Sequence, residues 1–351
     1  MKVCAVIVAY RTDTGYLHRL LGRLHAMFVD EVVLVDNHPD RLMEPATLLQ
    51  YHPRVRLLSQ HYNTGSSGGF KRGIVAARET AADFFWLLDE DNYPQDAALE
   101  TLLQTWQERA LHLESKPQML LSFRPQLFRF LNPYLIGEEL QITPHKNSFL
   151  GFHYRRFHQI IINRIKRVNG QLSLLIRKGE PLPINAGYYG GLFFHRRVIS
   201  DYLLPDEGMF LYWDDIAFTQ RFIEEGGEVW LIPHSRITDM DYEETRQLKK
   251  RFLHHPVLDL DTDLKAYYYI RNLSWYSEQR LKAKRLPYRL NQGMMLSLLI
   301  AMAVLRGKPG RLLLFIRAWR DAWHVQPVTT YSPAIAYKTK PNEVRSVEHS
   351  Y

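Results

Sequence analysis

The segment Trp86-Leu87-Leu88-Asp89-Glu90-Asp91-Asn92 joins an apolar run, Phe84 to Leu88, to three consecutive acids. A short run of this kind, rich in aromatic and aliphatic residues, reads as a buried strand. It delivers Asp89 and Asp91 to the strand's C-terminal edge, where open α/β sheets bind their ligands. Alternate residues of an extended segment point the same way, so Asp89 and Asp91 share a face and Glu90 points elsewhere. Acids this close repel one another unless a cation lies among them. Hard divalent ions take carboxylate oxygens and use their remaining positions for phosphate, so the pattern points to a metal–diphosphate site. A plainer reading stands beside it: Asp91 or Asn92, ahead of Pro94, caps a helix from Gln95 to Trp106.

Working outward, strands and helices alternate. Val3–Ala9 is a strand, followed by a helical pattern at Leu17, Leu20, Leu21 and Leu24. Glu31–Val35 is a strand ending at Asp36-Asn37, and Arg54–Leu58 is a short third one. A loop over Asn63-Thr64-Gly65-Ser66-Ser67-Gly68-Gly69 leads to a helix from Phe70 to Ala82. This order implies a mainly parallel sheet with right-handed crossovers. Polar residues stand at each strand's C-terminal end: Tyr10 and Arg11, then Asp36, then Asp89 and Asp91. In a doubly wound sheet those ends meet at one crevice.

Residues 132–182 are rich in His, Arg and Asn, with a basic helical candidate near His158–Val168, and read either as an acceptor-facing insertion, the favoured reading, or as a basic surface excursion. Beyond it come Asn185 to Gly191, a strand at Leu192–Phe194, and Phe210-Leu211-Tyr212-Trp213-Asp214-Asp215 opening a helix through Glu225. Gly226-Gly227 stops that helix, and strand Val229–Ile232 delivers Pro233-His234. After about residue 260 the chain reads as helical and basic, dividing it into 1–260 and 261–351.

Hydrophobic residues make up 46% and charged residues 23% of the 351, the balance of a globular protein. The net charge of +8 favours anionic partners. No nucleic-acid-binding motif accompanies the charge. A single cysteine, Cys4, excludes an internal disulfide framework and fits a reducing, cytoplasmic setting. The apolar start of the chain is too short for a signal peptide and lacks a cleavage site. No stretch reaches the roughly 20 apolar residues of a spanning helix, the nearest being Met294–Leu305. Basic residues flank that run and Leu312–Ile316. The tail therefore reads either as two short helices lying on an anionic membrane, peripheral on its inner face, or as a hairpin packed on the domain.

Several side chains carry candidate chemistry. His234, at a strand end, would add a nitrogen ligand, and a mixed oxygen and nitrogen set tolerates Mn²⁺ as well as Mg²⁺. Asp214 suits a helix cap, while Asp215 suits a general base in an aromatic-lined sugar pocket. Trp213, Tyr188 and Tyr189 would stack on sugar faces. The glycine segment matches neither the dinucleotide fingerprint nor the P-loop, so neither NAD nor ATP follows. Its backbone would pass close to a sugar–diphosphate, with Arg72 or Lys71 near phosphate.

Taken together, Val6-Ile7-Val8-Ala9-Tyr10, Val33-Leu34-Val35-Asp36-Asn37, Asn63-x-Gly65-x-x-Gly68-Gly69-Phe70-x-Arg72-Gly73, Asp89-Glu90-Asp91, Trp213-Asp214-Asp215 and His234 resemble the inverting family 2 glycosyltransferases of the GT-A fold. The match runs over about residues 3–240, in the family's order. The resemblance implies a Rossmann-like α/β sheet and a nucleotide-sugar donor. Ala9, Tyr10, Arg11 and Asp36 would hold the nucleoside, and Asn63, Gly68, Gly69, Arg72 and Glu90 would line the rest of the donor. Asp89, Asp91 and His234 would bind Mn²⁺ or Mg²⁺, Asp215 would be the base, and Tyr188, Tyr189, Trp213 and Asp214 would face the acceptor. The Gly-Gly-Phe form of the glycine segment is similar to bacterial galactofuranosyltransferases, whereas rhamnosyltransferases more often carry asparagine where Phe70 stands. The expected donor is UDP-galactofuranose, the alternative dTDP-rhamnose, and the expected acceptor a cell-surface, lipid-linked glycan. A sugar-nucleotide-binding module without turnover is the reading from another class. A nucleotidyltransferase would need a glycine- and lysine-rich loop near the first strand, which is missing.

Overall fold

The computed structural model describes residues 1–10, 13–38, 44–112, 116–127, 134–136, 139–156, 176, 178–241 and 255–324. The helical candidate at 158–168 and Arg11 lie outside the described residues, as do residues 157–175 of the 132–182 segment as a whole.

Four strands form the parallel half of the sheet: β1 (Val3–Ala9), β2 (Glu31–Asp36), β3 (Val55–Ser59) and β4 (Phe84–Asp89), in spatial order β3-β2-β1-β4. Every residue of β1 is buried, which its unbroken apolar sequence requires of a strand covered on both faces. Cys4, Val6 and Val8 pack on helix α3 (Gly65–Ala77); Ala5, Ile7 and Ala9 face helix α1 (Thr14–Ala26). Helix α2 (Pro45–Leu49) precedes β3. The glycine-rich segment is the start of α3, not a loop. A Cβ on Gly69 would stand 2.6 Å from Val8 Cγ1, and one on Gly73 2.4 Å from Val6 Cγ1, so the helix lies directly on β1.

Beyond β4 the sheet is mixed. β5 (Asn92–Pro94) and helix α4 (Ala98–His112) precede β6 (Gln118–Phe123), β7 (Tyr134–Ile136), β8 (Glu139–Gln141), β9 (Leu182–Ile184) and β10 (Leu192–His195). Helix α5 (Asp214–Glu224) then leads into β11 (Glu228–Asp239). β10 runs antiparallel between β4 and β6, and β6 pairs in parallel with β11. Buried Trp86, Phe85, Phe193 and Phe194 fill this centre, each contributing roughly 2–3 kcal/mol over exposure.

Asn92 and Asp91 do not cap a helix. Residues 92–94 form β5 against β11, pairing Asn92 with Asp239, and α4 begins only at Ala98. After β11 come α6 (Pro256–Asp259), α7 (Asp263–Tyr276), a π-helical turn (Ser277–Leu281), α8 (Arg285–Leu305) and α9 (Gly310–Ala322). They share a core with Phe149, Phe152 and Phe210. The α8 helix extends well upstream of Met294, and its 21 residues are long and apolar enough, by length and composition, to cross a membrane.

Candidate active site

The parallel register sets Ala9 beside Asp36 and Val8 beside Asp89, so three strand ends open on one crevice. The Tyr10 amide donates to Glu90 Oε1 at 3.3 Å, tying the ends of β1 and β4 together. Asp36 Oδ1 accepts from the His38 amide at 3.0 Å. Buried Asn37 organises the start of α3: its Oδ1 accepts from the Thr64 amide and hydroxyl, and its Nδ2 donates to Gly65 O and Asn63 Oδ1. Gly65 adopts φ +70°, and a Cβ there would collide with the Phe210 carbonyl. The Ser67 amide donates to that same carbonyl. Arg72 is exposed and bonded to Gln60, and Lys71 pairs with Glu207.

The acidic centre lies at the end of β4. Fully buried Asn92 receives the Asp89 amide on Oδ1 at 3.0 Å and donates from Nδ2 to Asp91 and Asp239. Arg124, at the end of β6, donates from Nη1 to Asp89 Oδ2 at 3.2 Å and from Nε to Asp239 Oδ1 at 2.8 Å. Gly190 makes room for this convergence: a Cβ there would stand 2.3–2.5 Å from Arg124 Nη1, Asn92 Oδ1 and Asp89 Oδ2. Burial raises the Asp89 carboxyl, and burial with Asp89 alongside raises Asp91 to about 9, while Arg124 opposes both. Burial also works against the charge of Arg124, but Asp239, Asp89 and Asp91 outweigh it and hold the guanidinium charged.

The second acidic pair opens α5. Phe210, Tyr212 and Trp213 all have φ between 61° and 66°, a left-handed run that costs roughly 1–3 kcal/mol per residue. Fully buried Asn272 of α7 holds it, donating from Nδ2 to the carbonyls of Met209, Leu211 and Tyr212 at 2.7–2.9 Å. Asp214 is buried and accepts from Ser66 Oγ at 2.7 Å; its carboxyl is raised by burial, against that hydrogen bond, to about 7. Asp215 accepts from the Ile216 amide at 2.7 Å. Burial, then Asp214, push its carboxyl well up, as does Asp89, whereas the Ile216 amide and Arg124 favour the ionised form. Asp215 therefore shares one electrostatic environment with the acids of β4.

Several expected residues stand elsewhere. His234 is exposed and does not join Asp89 and Asp91. It falls in the irregularity between Ile232 and Arg236, where Ser235, Ile237 and Asp239 follow the inward parity and His234 and Arg236 the outward one. Its Nε2 lies instead against Gly179. Asp239, two residues beyond Ile237, reaches the acids in its place. Tyr189 is core, its ring packed between Phe70 and Phe218 at 4.3 and 5.9 Å. Asp214 is buried and bonded to Ser66, and Gly69 packs closely on Val8. Tyr188 and Trp213 are partly buried; Asp215 acts on the Tyr188 hydroxyl, and Trp213 packs on Tyr276 at 4.9 Å.

Among the described residues no three His, Cys, Asp or Glu side chains converge as a metal cluster. The donor chemistry at Asp89 and Asp91 nevertheless fits a hard divalent ion. Carboxylates of Asp89, Asp91, Asp239 and Asp241 act on one another there, and Arg124 is the cation acting on both Asp89 and Asp91.

Residues 4–159 match the family model described as Glycosyl transferase family 2. Over these residues the chain resembles the family 2 glycosyltransferases. It is similar to Galactofuranosyltransferase GlfT1 of Mycolicibacterium smegmatis, 26% identical over 230 residues, which are 64% of this chain and 66% of the relative. The GlfT1 of Mycobacterium tuberculosis H37Rv is 25% identical over 229 residues, with the same shares. The chain thus spans just under two thirds of the length of these curated relatives. Among solved structures, GalNAc-T7 crystallised with UDP, GalNAc and Mn²⁺ superposes with a TM-score of 0.50 at 12% identity, over 83% of this chain and 54% of that one. The likeness is one of fold, GT-A.

The sequence left Arg124, Asp239, Gly190 and Asn272 unassigned, and read Asn92 only as a helix cap. Arg124 follows an apolar strand, Gln118–Phe123, as Asp36 and Asp89 follow theirs, and the same strand-end rule finds it. Beside the site is a cavity of about 760 Å³ between the 141–155 segment, the C-terminal half of α5 and the π-helical turn. Gln141, Asn185 and Gln220 offer amides to it, and Lys146, Arg155 and Arg280 offer cations. Tyr276 lines it and touches Trp213, connecting the cavity to the start of α5.

Proposed function

We propose that this protein moves galactofuranose from UDP-galactofuranose onto a hydroxyl of a bacterial cell-surface glycan, inverting the anomeric carbon. The carrying observation is that Asp215 and the acids of β4 share a single crevice, with Asp89 and Arg124 both acting on Asp215. The names of the curated relatives support the donor, and the Gly68-Gly69-Phe70 segment agrees with it.

In this reading the nucleoside lies against Ala9, Tyr10 and Asp36, beside the Asn37–Asn63 bonds. Asp89 and Asp91 would hold a divalent ion, whose chemistry is to neutralise the diphosphate as it departs. Asp215 takes the proton from the acceptor hydroxyl as its oxygen attacks the anomeric carbon, and the bond to the diphosphate breaks on the opposite face. Trp213 and Tyr188 orient the acceptor sugar, while the cavity beyond them receives the rest of the glycan.

A panel of UDP-galactofuranose, UDP-galactopyranose and dTDP-rhamnose, each with Mn²⁺ or Mg²⁺ and again with EDTA, tests the reading. Consumption of UDP-galactofuranose alone, lost in EDTA and restored by metal, is expected. Preference for dTDP-rhamnose would replace the donor, full activity in chelator would remove the metal, and no consumption of any donor would overturn the enzyme reading.

A further inference from the structure

Helix α8 carries two opposite faces. The inner one, with Tyr288, Asn291, Met295, Leu299 and Met302, is buried against α7, α9 and the 147–154 segment. Asn291 is fixed there by hydrogen bonds at both ends: its Oδ1 accepts from the Tyr154 amide at 2.7 Å and its Nδ2 donates to Asn147 O at 2.8 Å. The outer face exposes Leu286, Leu290, Met294, Ile300, Val304 and Leu305. Leu286 is 81%, Val304 64% and Leu305 79% accessible. The intervening positions on this face are Gly293, Ser297 and Ala301, so from 290 to 305 the exposed stripe carries no charge. At 1.5 Å per residue it runs for roughly 24 Å. An apolar strip of this length is unusual on a protein surrounded by water alone.

Cations border the strip. Lys284, Arg285 and Arg289 are exposed at its N-terminal end, and Arg317 and Arg320 are exposed on α9. On α9, Leu313 and Ile316 are also exposed, as is Trp323 just beyond the helix. We propose that the outer face of α8 lies in the surface of an anionic membrane, its apolar row sunk among the acyl chains and its flanking cations on the headgroups. Lys and Arg on the rim are what an anionic lipid surface selects and what a second copy of the same cationic face would repel. The helix lies along the membrane and does not cross it, because Asn291 and its neighbours hold its other face on the protein. Neither donor nor acceptor identity enters this inference.

The full chain, mixed with sucrose-loaded vesicles of phosphatidylcholine with or without phosphatidylglycerol, is sedimented at low and high salt. Binding to the phosphatidylglycerol vesicles, weakened by salt and poor on pure phosphatidylcholine, is expected. Combining Leu290→Glu, Ile300→Glu and Val304→Glu should lower that partition about tenfold or more, with the thermal transition kept, because all three positions face solvent. Combining Lys284→Gln and Arg285→Gln should lower it on anionic vesicles only. A parent chain that stays in the supernatant, or a triple variant that sediments as well as the parent, overturns the proposal. So does a parent dimer that the triple variant dissociates without any vesicle binding, since a second copy would then be the occupant.

Discussion

Two pairs of acids meet in one crevice and are kept there by different means. Asp89 and Asp91 face a guanidinium: Arg124 touches Asp89 directly and links it to Asp239. Asp214 and Asp215 are held by hydrogen bonds, from the Ser66 hydroxyl and the Ile216 amide, and Arg124 reaches Asp215 only through space. Burial raises the carboxyls of both pairs. What opposes it differs: a guanidinium in direct contact at Asp89, and chiefly a hydroxyl and a backbone amide at Asp214 and Asp215. In the proposed reaction the first pair would hold the cation beside the diphosphate, and Asp215 of the second would take the proton.

Removing the proton acceptor tests the contrast most severely. Asp215→Asn should lower turnover roughly 10²–10⁴-fold while leaving UDP-sugar binding by calorimetry nearly unchanged. Near-normal turnover would break the comparison, because Asp215 would then carry no proton. Removing the cation comes next. Arg124→Gln leaves buried carboxylates uncompensated and should lower the urea unfolding free energy by about 3 kcal/mol. It should also move the acidic limb of the kcat/KM profile to higher pH, since Arg124 favours ionised Asp215. Unchanged stability would show that the acids of β4 need no counter-ion.

The smallest effect is a pH dependence. Asp214, raised to about 7 in the fold, ionises near 3.9 when unfolded. Between those values the unfolded chain has released a proton that the folded chain still holds, so this group makes stability fall as pH rises from about 4 to 7 and then level off. Asp214→Asn removes the penalty. Its melting temperature relative to the parent should improve by a few degrees between pH 4 and pH 8. A difference that is flat with pH would mean that Asp214 is already ionised in the fold.

The parallel half of the sheet was legible because β1 is apolar throughout and β2 and β4 carry unbroken apolar runs up to their terminal aspartates, as strands covered on both faces need. The glycine segment was not. Glycines cost a helix roughly 1 kcal/mol each, so Gly65 to Gly73 reads locally as a loop. The cost is outweighed at long range: Asn37 organises the first turn, and the missing side chains let α3 rest on Val6 and Val8. His234 misled for a similar reason. An irregularity in β11 decides which side chains face inward, and nothing near residue 234 in sequence announces it. Asp215 and Asp89 were each readable alone, because each follows an aromatic or apolar run. Their joining through Arg124 and Gly190 belongs to the folded chain.

The Asn272 clamp bears on how the protein comes into being. A ribosome makes Asp215 first and Asn272 well afterwards, so the nascent chain carries its proposed base before it owns the amide that pins Met209 to Tyr212. Until α7 docks, the left-handed turn at Phe210–Trp213 lacks the three carbonyl contacts of Asn272 and keeps only its bonds to α3 and to its own neighbours. The region of the proposed site is thus not a portable module to which a tail was added: a residue of α7 completes its geometry.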